Sequence, residues 1–325
     1  VIIVTGGAGF IGSALIWRLN EMGRSDILVV DNFGVGQKWQ NLAKRKFQYM
    51  VNKEQLHEYL PKWKGQIEAV FHLGACSTTT ENDGDYLLRN NFQYSAQLWE
   101  YCTVHKIPFI YASSAATYGN GENGFDDRDD VLKPLRPINK YGFSKKIFDD
   151  FALSNKSRPN LWVGLKFFNV YGPQEYHKGS QASVVFHAFP QVRDRGALRL
   201  FKSYRPEYRD GEQMRDFIYV KDVVDVMTHI YKNQHAIRSG VYNLGTGQAR
   251  TWLDLGHAVF AALGKQPKIE FIEMPDNLRG QYQYFTEAKM ERMREALNYT
   301  ARFHSLEEGV KDYVAGYLNR DDQYL

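Results

Sequence analysis

Val1-Ile2-Ile3-Val4-Thr5-Gly6-Gly7-Ala8-Gly9-Phe10-Ile11-Gly12 opens the chain, and its reading decides the fold. Residues 1–5 form a short apolar β-rich run, and residues 11–22 follow a helical pattern. The glycines between them are spaced Gly6-x-x-Gly9-x-x-Gly12. Gly6 permits a tight turn, Gly9 lets a pyrophosphate approach the backbone, and Gly12 lets the helix pack against the strand. A helix starting there offers free N–H groups and the positive end of its dipole to an anion. Glycine spacing alone is weak evidence, but strand–turn–helix is the context a dinucleotide-binding loop requires.

The rest of the first half repeats the theme. Apolar runs at 26–31, 68–73, 108–113 and 161–167 alternate with helical patterns, notably about 84–104 and 140–154. Near-continuous apolar strands are expected where helices cover both faces of a parallel sheet. We therefore expect an α/β fold, a doubly wound parallel sheet of the Rossmann kind. After about residue 170, loops rich in Gly, Arg and Tyr appear and strands become sparse. This predicts a smaller α+β substrate lobe. The cofactor domain is expected over 1–170 and about 218–245, and the lobe over about 171–217 and 246–325.

The chain has 325 residues, 43% of them hydrophobic and 24% charged, which excludes bulk disorder, collagen and disulfide scaffolds. Its 41 basic and 37 acidic residues leave +4, too small and dispersed a charge to indicate nucleic acid. The cluster Lys44-Arg45-Lys46 reads as a solvated face. Cys76 and Cys102 can make neither a disulfide framework nor a cysteine zinc site, so no metal is expected, and both read as small buried apolar residues. No apolar run approaches a membrane span, and no basic segment precedes the first strand. A cytoplasmic protein with no membrane partner is expected.

Asp31 ends the second strand, 19 residues beyond Gly12. A carboxylate there bonds the adenosine ribose and points to NAD. Lys38 and Lys53 follow and could hold a 2′-phosphate, so the residues alone leave NAD and NADP open. Tyr141 and Lys145 are four apart on a predicted helix, hence on one face. A free phenol is too weak an acid to serve as a base at neutral pH, but a nearby ammonium favours the phenolate. Ser113-Ser114 falls at the end of the preceding strand, where such sheets bind ligands, and a serine hydroxyl there can bridge the substrate oxygen and the tyrosine.

Together, the glycine loop, Ser114 and Tyr141-x-x-x-Lys145 resemble the extended short-chain dehydrogenase/reductase superfamily. Phe168-Asn169-Val170-Tyr171-Gly172-Pro173, Arg215-Asp216-Phe217-Ile218-Tyr219-Val220 and Tyr242-Asn243-Leu244-Gly245 fit its nucleotide-sugar branch. Gly74 to Glu81, Tyr111 to Gly119 and His177-Lys178-Gly179-Ser180 are most similar to the ADP-L-glycero-D-manno-heptose 6-epimerase family. That resemblance implies inversion of C6″ of an ADP-heptose for the lipopolysaccharide inner core. The carbon bears no acidic proton, so inversion proceeds by transient oxidation with tightly bound NADP and re-reduction on the opposite face. It makes Tyr141, assisted by Lys145, one base and Lys178 the second, with Ser114 orienting the reacting oxygen. It surrounds NADP with Gly6, Gly9, Phe10, Ile11, Gly12, Asp31, Asn32, Lys38, Lys53, Leu73, Gly74, Ala75, Cys76, Ser77, Asn90, Lys145, Val170 and Lys178. It surrounds the substrate with Ser114, Asn169, Ser180, His187, Phe201, Lys202, Ser203, Tyr204, Arg215 and Tyr282. A homopentamer is also implied.

Two departures from the family pattern stand out. The segment 202–214 is about six residues longer than the family implies, which leaves the nucleotide contacts of Lys202, Ser203 and Tyr204 open. Leu73 stands where a glutamate is expected, so that cofactor contact is reduced to backbone. A UDP-sugar 4-epimerase shares most of these motifs, and His177-Lys178-Gly179-Ser180 weighs against it. A dehydratase needs an acid beside its serine, where this chain has Ala115 and Ala116. A non-catalytic NADP-binding sensor would be expected to lose Tyr141 or Lys145, and both are present.

Overall fold

The computed structural model describes residues 1–279 and 282–325. Seven parallel strands form the main sheet in the order β10-β6-β5-β4-β1-β2-β3. They are β1 (Ile2–Thr5), β2 (Ile27–Asp31), β3 (Tyr49–Asn52), β4 (Ala69–His72), β5 (Phe109–Ser114), β6 (Trp162–Phe167) and β10 (Gly240–Leu244). β1 pairs in register with both β2 and β4. All of β1, β2 and β4 is buried, as the unbroken apolar runs require. Strand order reverses at β1, and the crevice beyond the carboxyl ends of β1 and β4 is where such sheets bind ligands.

Gly6 has φ +68°, and a Cβ on it would lie 2.6 Å from the Gly74 amide nitrogen. The loop after β1 and the loop after β4 therefore touch through bare backbone. A Cβ on Gly12 would lie 2.1 Å from the Gly6 carbonyl oxygen, so Gly12 packs the helix Phe10–Glu21 against the glycine loop itself. The close helix–strand approach expected there falls instead at Gly7, enclosed by Val4, Ile16 and Val29. No side chain caps that helix.

The helix expected over about 84–104 is composite. Gly84–Leu87 and Tyr94–His105 flank a π-helical segment, Leu88–Gln93, a distortion common at functional sites. It carries Asn91, whose amide donates to the Cys76 carbonyl at 2.9 Å and to the Ser144 hydroxyl at 3.0 Å. Cys102 is buried, but Cys76 is only half-buried, because it lies on this loop and not in the core.

Beyond β6 the chain forms two small sheets. β7 (Asn169–Tyr171), β9 (Met214–Tyr219) and β11 (Ala249–Thr251) make one, and β8 (Leu198–Phe201) pairs with β12 (Ile269–Ile272) in the other. Between them the helix Val220–Lys232 packs on Phe10–Glu21, with Arg18 paired to Asp225 at 2.6 Å, before β10 adds to the edge of the main sheet. Lys44-Arg45-Lys46 is not merely solvated. Lys44 donates to the Tyr324 carbonyl at 2.8 Å and Arg45 to that of Leu325, because residues 323–325 fold back over this surface. No helix among the described residues is long and apolar enough to cross a membrane.

Candidate active site

A cavity of about 690 Å³ opens at the carboxyl ends of β1, β4, β5 and β6. On one side its wall holds Gly6, Gly9, Phe10, Ile11, Gly12, Asp31, Asn32, Lys38, Lys53, Leu73, Gly74, Ala75, Ser77 and Asn90. Ser114, Tyr141, Lys145, Asn169, Val170 and Lys178 complete it. One space thus collects every residue expected around the cofactor except Cys76, whose backbone is turned to Asn91. Four lysines and one carboxylate, Asp31, line it, a charge balance suited to a polyanion.

The Asp31 carboxylate accepts from the Ala8 amide at 2.8 Å and the Asn32 amide at 2.6 Å, and also from Lys38. Lys38 further donates to the Asn32 carbonyl. Lys53 donates to Asn90 at 2.6 Å. The bare glycine backbone, the uncapped helix terminus and these lysines together fit a dinucleotide with its phosphates on the loop.

Asn139 caps the helix Lys140–Ser154 by accepting from the Gly142 amide at 2.7 Å. A Cβ on Gly142 would meet the Ala116 carbonyl oxygen at 2.6 Å, so the helix start is pressed onto the turn that follows Ser114. Tyr141 and Lys145 thereby face the cavity beside Ser114. Lys145 donates to the Ala112 carbonyl at 2.9 Å. Burial pulls its pKa down to about 8, against the opposing pull of Asp149. Burial raises the Tyr141 phenol, and the Ser114 side chain opposes that rise. Lys178 sits on the 3₁₀ turn Tyr176–Gln181, its ammonium 5.3 Å from the centre of the Phe10 ring. Burial lowers its pKa and Glu175 opposes. The neighbouring His177 is lowered to about 4, first by burial and then by Lys38 and Lys178, and is neutral at physiological pH.

The residues expected around the substrate divide into four sets. Ser114 and Asn169 line the cavity. Arg215 and Tyr282 stand behind its wall. The indole N–H of Trp252, a lining residue, donates to the Tyr282 hydroxyl at 2.7 Å, and the Arg215 guanidinium lies 5.2 Å from the Tyr282 ring. Phe201, Lys202, Ser203 and Tyr204 form a separate group at the end of β8. There Lys202 pairs with Glu273 at 2.6 Å, Ser203 is held by Asp210, and the Arg279 guanidinium lies 3.9 Å over the Tyr204 ring. Ser180 and His187 do not line the cavity. Ser180 is exposed, and the buried Nε2 of His187 has no hydrogen-bond partner among the described residues.

Tyr86, Tyr94, His177, Phe217 and Trp252 also line the cavity and were not expected there. His177 lay inside a motif already singled out; an isolated aromatic such as Trp252 carries no spacing signal. Among the described residues, no group of three or more His, Cys, Asp or Glu side chains is arranged to hold a metal ion.

A parallel sheet with a glycine loop at its switch point, and a Ser, Tyr and Lys at the neighbouring strand and helix ends, defines a nicotinamide-dependent enzyme of the extended short-chain dehydrogenase/reductase kind. Residues 2–245 match the NAD dependent epimerase/dehydratase family. The ADP-L-glycero-D-manno-heptose-6-epimerase of Fusobacterium nucleatum is 53% identical over 100% of both chains. The crystal structure of the enzyme of that name from Helicobacter pylori superposes with a TM-score of 0.81 at 33% identity, covering 97% of this chain and 95% of that one. UDP-glucose 4-epimerase from Thermus thermophilus, solved in complex with NAD, gives a TM-score of 0.78 at 25% identity over 97% of each chain. The chain belongs to the ADP-L-glycero-D-manno-heptose-6-epimerase family, and it is an epimerase.

Proposed function

We propose that this protein converts ADP-D-glycero-D-manno-heptose to ADP-L-glycero-D-manno-heptose at C6″, with tightly bound NADP, for the lipopolysaccharide core. The observation that carries the reading is the convergence of Tyr141, Lys145, Ser114 and Lys178 on one cavity with the glycine loop. The glycine loop Gly6–Gly12 with Lys38 and Lys53 would hold the dinucleotide, which would supply reversible hydride transfer at the sugar carbon. The chain's own residues do the rest. Tyr141 takes or returns the hydroxyl proton, made more acidic by the Lys145 ammonium on the same helix face. Ser114 holds the reacting oxygen against the phenol. Lys178, on a separate element, handles the proton when the sugar presents its other face.

The preference for NADP over NAD rests on Lys38, which neutralises Asp31 and stands beside Asn32, with Lys53 as a second cation. Arg215, whose planar fork suits a diphosphate, with Tyr282 and the Tyr204 group, is assigned to the substrate nucleotide. The division into a cofactor domain (1–170 and about 218–245) and a substrate lobe belongs to the same proposal, as does a homopentamer, which sedimentation velocity would test.

The deciding experiment incubates the purified protein separately with ADP-D-glycero-D-manno-heptose and with UDP-galactose, and reads product stereochemistry by NMR. Inversion at C6″ of the heptose is expected. Inversion of UDP-galactose alone would make it a UDP-sugar 4-epimerase, and no turnover of either would return it to a cofactor-binding role.

A further inference from the structure

Gln174 and Glu175 are both fully buried, an unusual pair to find side by side at the root of a loop. Gln174 has a positive φ of 83°, a conformation that costs a non-glycine residue and persists only where the surroundings enforce it. Its side chain donates to the Asn41 carbonyl at 2.9 Å and to the Ser13 hydroxyl at 3.3 Å, and its own carbonyl accepts from Asn41 at 3.1 Å. Ser13 belongs to the helix that follows the glycine loop, so the loop is rooted on the cofactor-binding elements.

Glu175 closes the loop on itself. Its Oε1 accepts from the Gly172 amide at 3.3 Å and from the Ser183 hydroxyl at 2.7 Å, and its Oε2 accepts from the Ser183 amide at 2.5 Å. One carboxylate thus ties both ends of the 172–183 segment together. Lys178 lies between those ends, and its backbone N–H donates to the Glu175 carbonyl at 2.9 Å. The Lys178 ammonium makes no ion pair among the described residues. The groups that bear on this pair are few. Phe10 faces Lys178 from the helix Phe10–Glu21, and His177 flanks it on its own turn. Tyr313, from the helix Leu306–Tyr313, and Tyr176 stand near Glu175.

We infer that Glu175 is a positioning residue for Lys178: its carboxylate locks the 172–183 loop shut and supplies the buried counter-charge that keeps the lysine ammonium in the cavity. The inference rests on the proposed role of Lys178 in proton handling. A glutamate buried here has a reason that packing alone does not give, since burying a carboxylate is costly unless its hydrogen bonds and charge are answered.

Glu175→Gln tests it. The amide keeps the shape and one acceptor but removes the charge and turns an N–H toward the Ser183 amide. In the purified, cofactor-loaded enzyme we expect kcat to fall about tenfold with KM within about twofold. A second readout is independent of turnover: competitive acetylation of the Lys178 amine followed by mass spectrometry. Its reactivity is expected to begin about one pH unit lower in Glu175→Gln, and Glu175→Asp, which keeps the charge, to recover most of that shift. Should Glu175→Gln lose its cofactor or fail to fold, Ser183→Ala removes one of the three hydrogen bonds and is expected to move both readouts in the same direction by less. Unchanged turnover and an unchanged Lys178 labelling profile would overturn the inference. Lys178→Met run in parallel separates the two claims. Wild-type turnover in that variant sinks the role of Lys178 as a base, while the labelling profile still decides whether Glu175 governs the lysine.

Discussion

The ammonium of Lys145 donates at 2.9 Å to the carbonyl oxygen of Ala112, two residues before Ser114 on the same strand. The helix that carries Tyr141 is therefore locked to the strand that carries Ser114 by the same cation that the proposed mechanism uses to activate the phenol. Tyr141→Phe should reduce epimerisation at least 10³-fold while cofactor stays bound, checked by turnover and by absorbance of the purified protein. Lys145 titrates at about 8, so its charge is complete below that pH and lost above it. In the wild type kcat should decline on the alkaline side of about pH 8. Lys145→Arg, permanently charged, should lose that limb even where its rate is lower.

Lys178 makes the second prediction. Its turn, Tyr176–Gln181, is separate from the helix of Tyr141, and the proposed mechanism assigns Lys178 the second proton transfer, on the other face of the sugar. Lys178→Met should slow the reaction about 10²- to 10⁴-fold while the melting temperature stays within a few degrees. A variant that turns over at the normal rate would return Lys178 to phosphate binding.

The parts of this site legible in the sequence are those fixed by local spacing. Gly6, Gly9 and Gly12 lie in one turn, and Tyr141 and Lys145 lie on one helix face, so short-range geometry brings them together. The parts that were not legible depend on partners far apart in the chain. Gly7, and not Gly12, carries the helix–strand approach, because the Val4 carbonyl and the side chains of Val29 and Ile16 fix that contact. The π-helical segment holding Asn91 interrupts a pattern that reads as one helix, since its bonds to Cys76 and Ser144 are tertiary. Arg45 reads as a surface charge until residues 323–325 are folded onto it. Trp252 and the Gln174–Glu175 pair have no periodicity to betray them.

The proposed preference for NADP makes the Asp31–Lys38 pair the point to test. An unpaired Asp31 would repel a 2′-phosphate, and Lys38 cancels that charge. Lys38→Ala should weaken NADP retention about 10- to 100-fold and raise the proportion of NAD in the protein as purified. Mass spectrometry of released cofactor is the measurement, and an unaltered NADP content would remove Lys38 from the site.

Beneath Ser114 lies a buried ion pair. Lys166 donates to Asp149 at 2.5 Å and to Thr117 at 2.7 Å, and Asp149 also accepts from Ser113 at 2.6 Å and Tyr111 at 2.9 Å. Removing one partner strands the other charge. Lys166→Met should cost about 3–5 kcal/mol of stability, and the double change with Asp149→Asn should cost less than the sum. Urea unfolding of the single and double variants measures both. Additive losses would show that the pair is not coupled.

His72 sets a pH dependence of stability. It is fully enclosed, within 2.7 Å of the Thr5 hydroxyl and 2.8 Å of the Ser95 hydroxyl, and stacked between Tyr94 and Phe109. Burial first, then Lys145, lowers its pKa from 6.5 to about 3. Between those two values the unfolded chain binds a proton that the folded chain does not, so this contribution is complete above pH 6.5 and is lost as pH falls toward 3. One proton gives a slope of at most about 1.4 kcal/mol per pH unit. His72→Gln should be less stable than the wild type at pH 7.5, with the gap narrowing steadily to pH 5 as the wild type alone bears the cost of leaving this ring unprotonated. Urea midpoints of the two proteins at pH 7.5, 6 and 5 test this directly: a gap independent of pH would mean that the ring already binds its proton in the folded state.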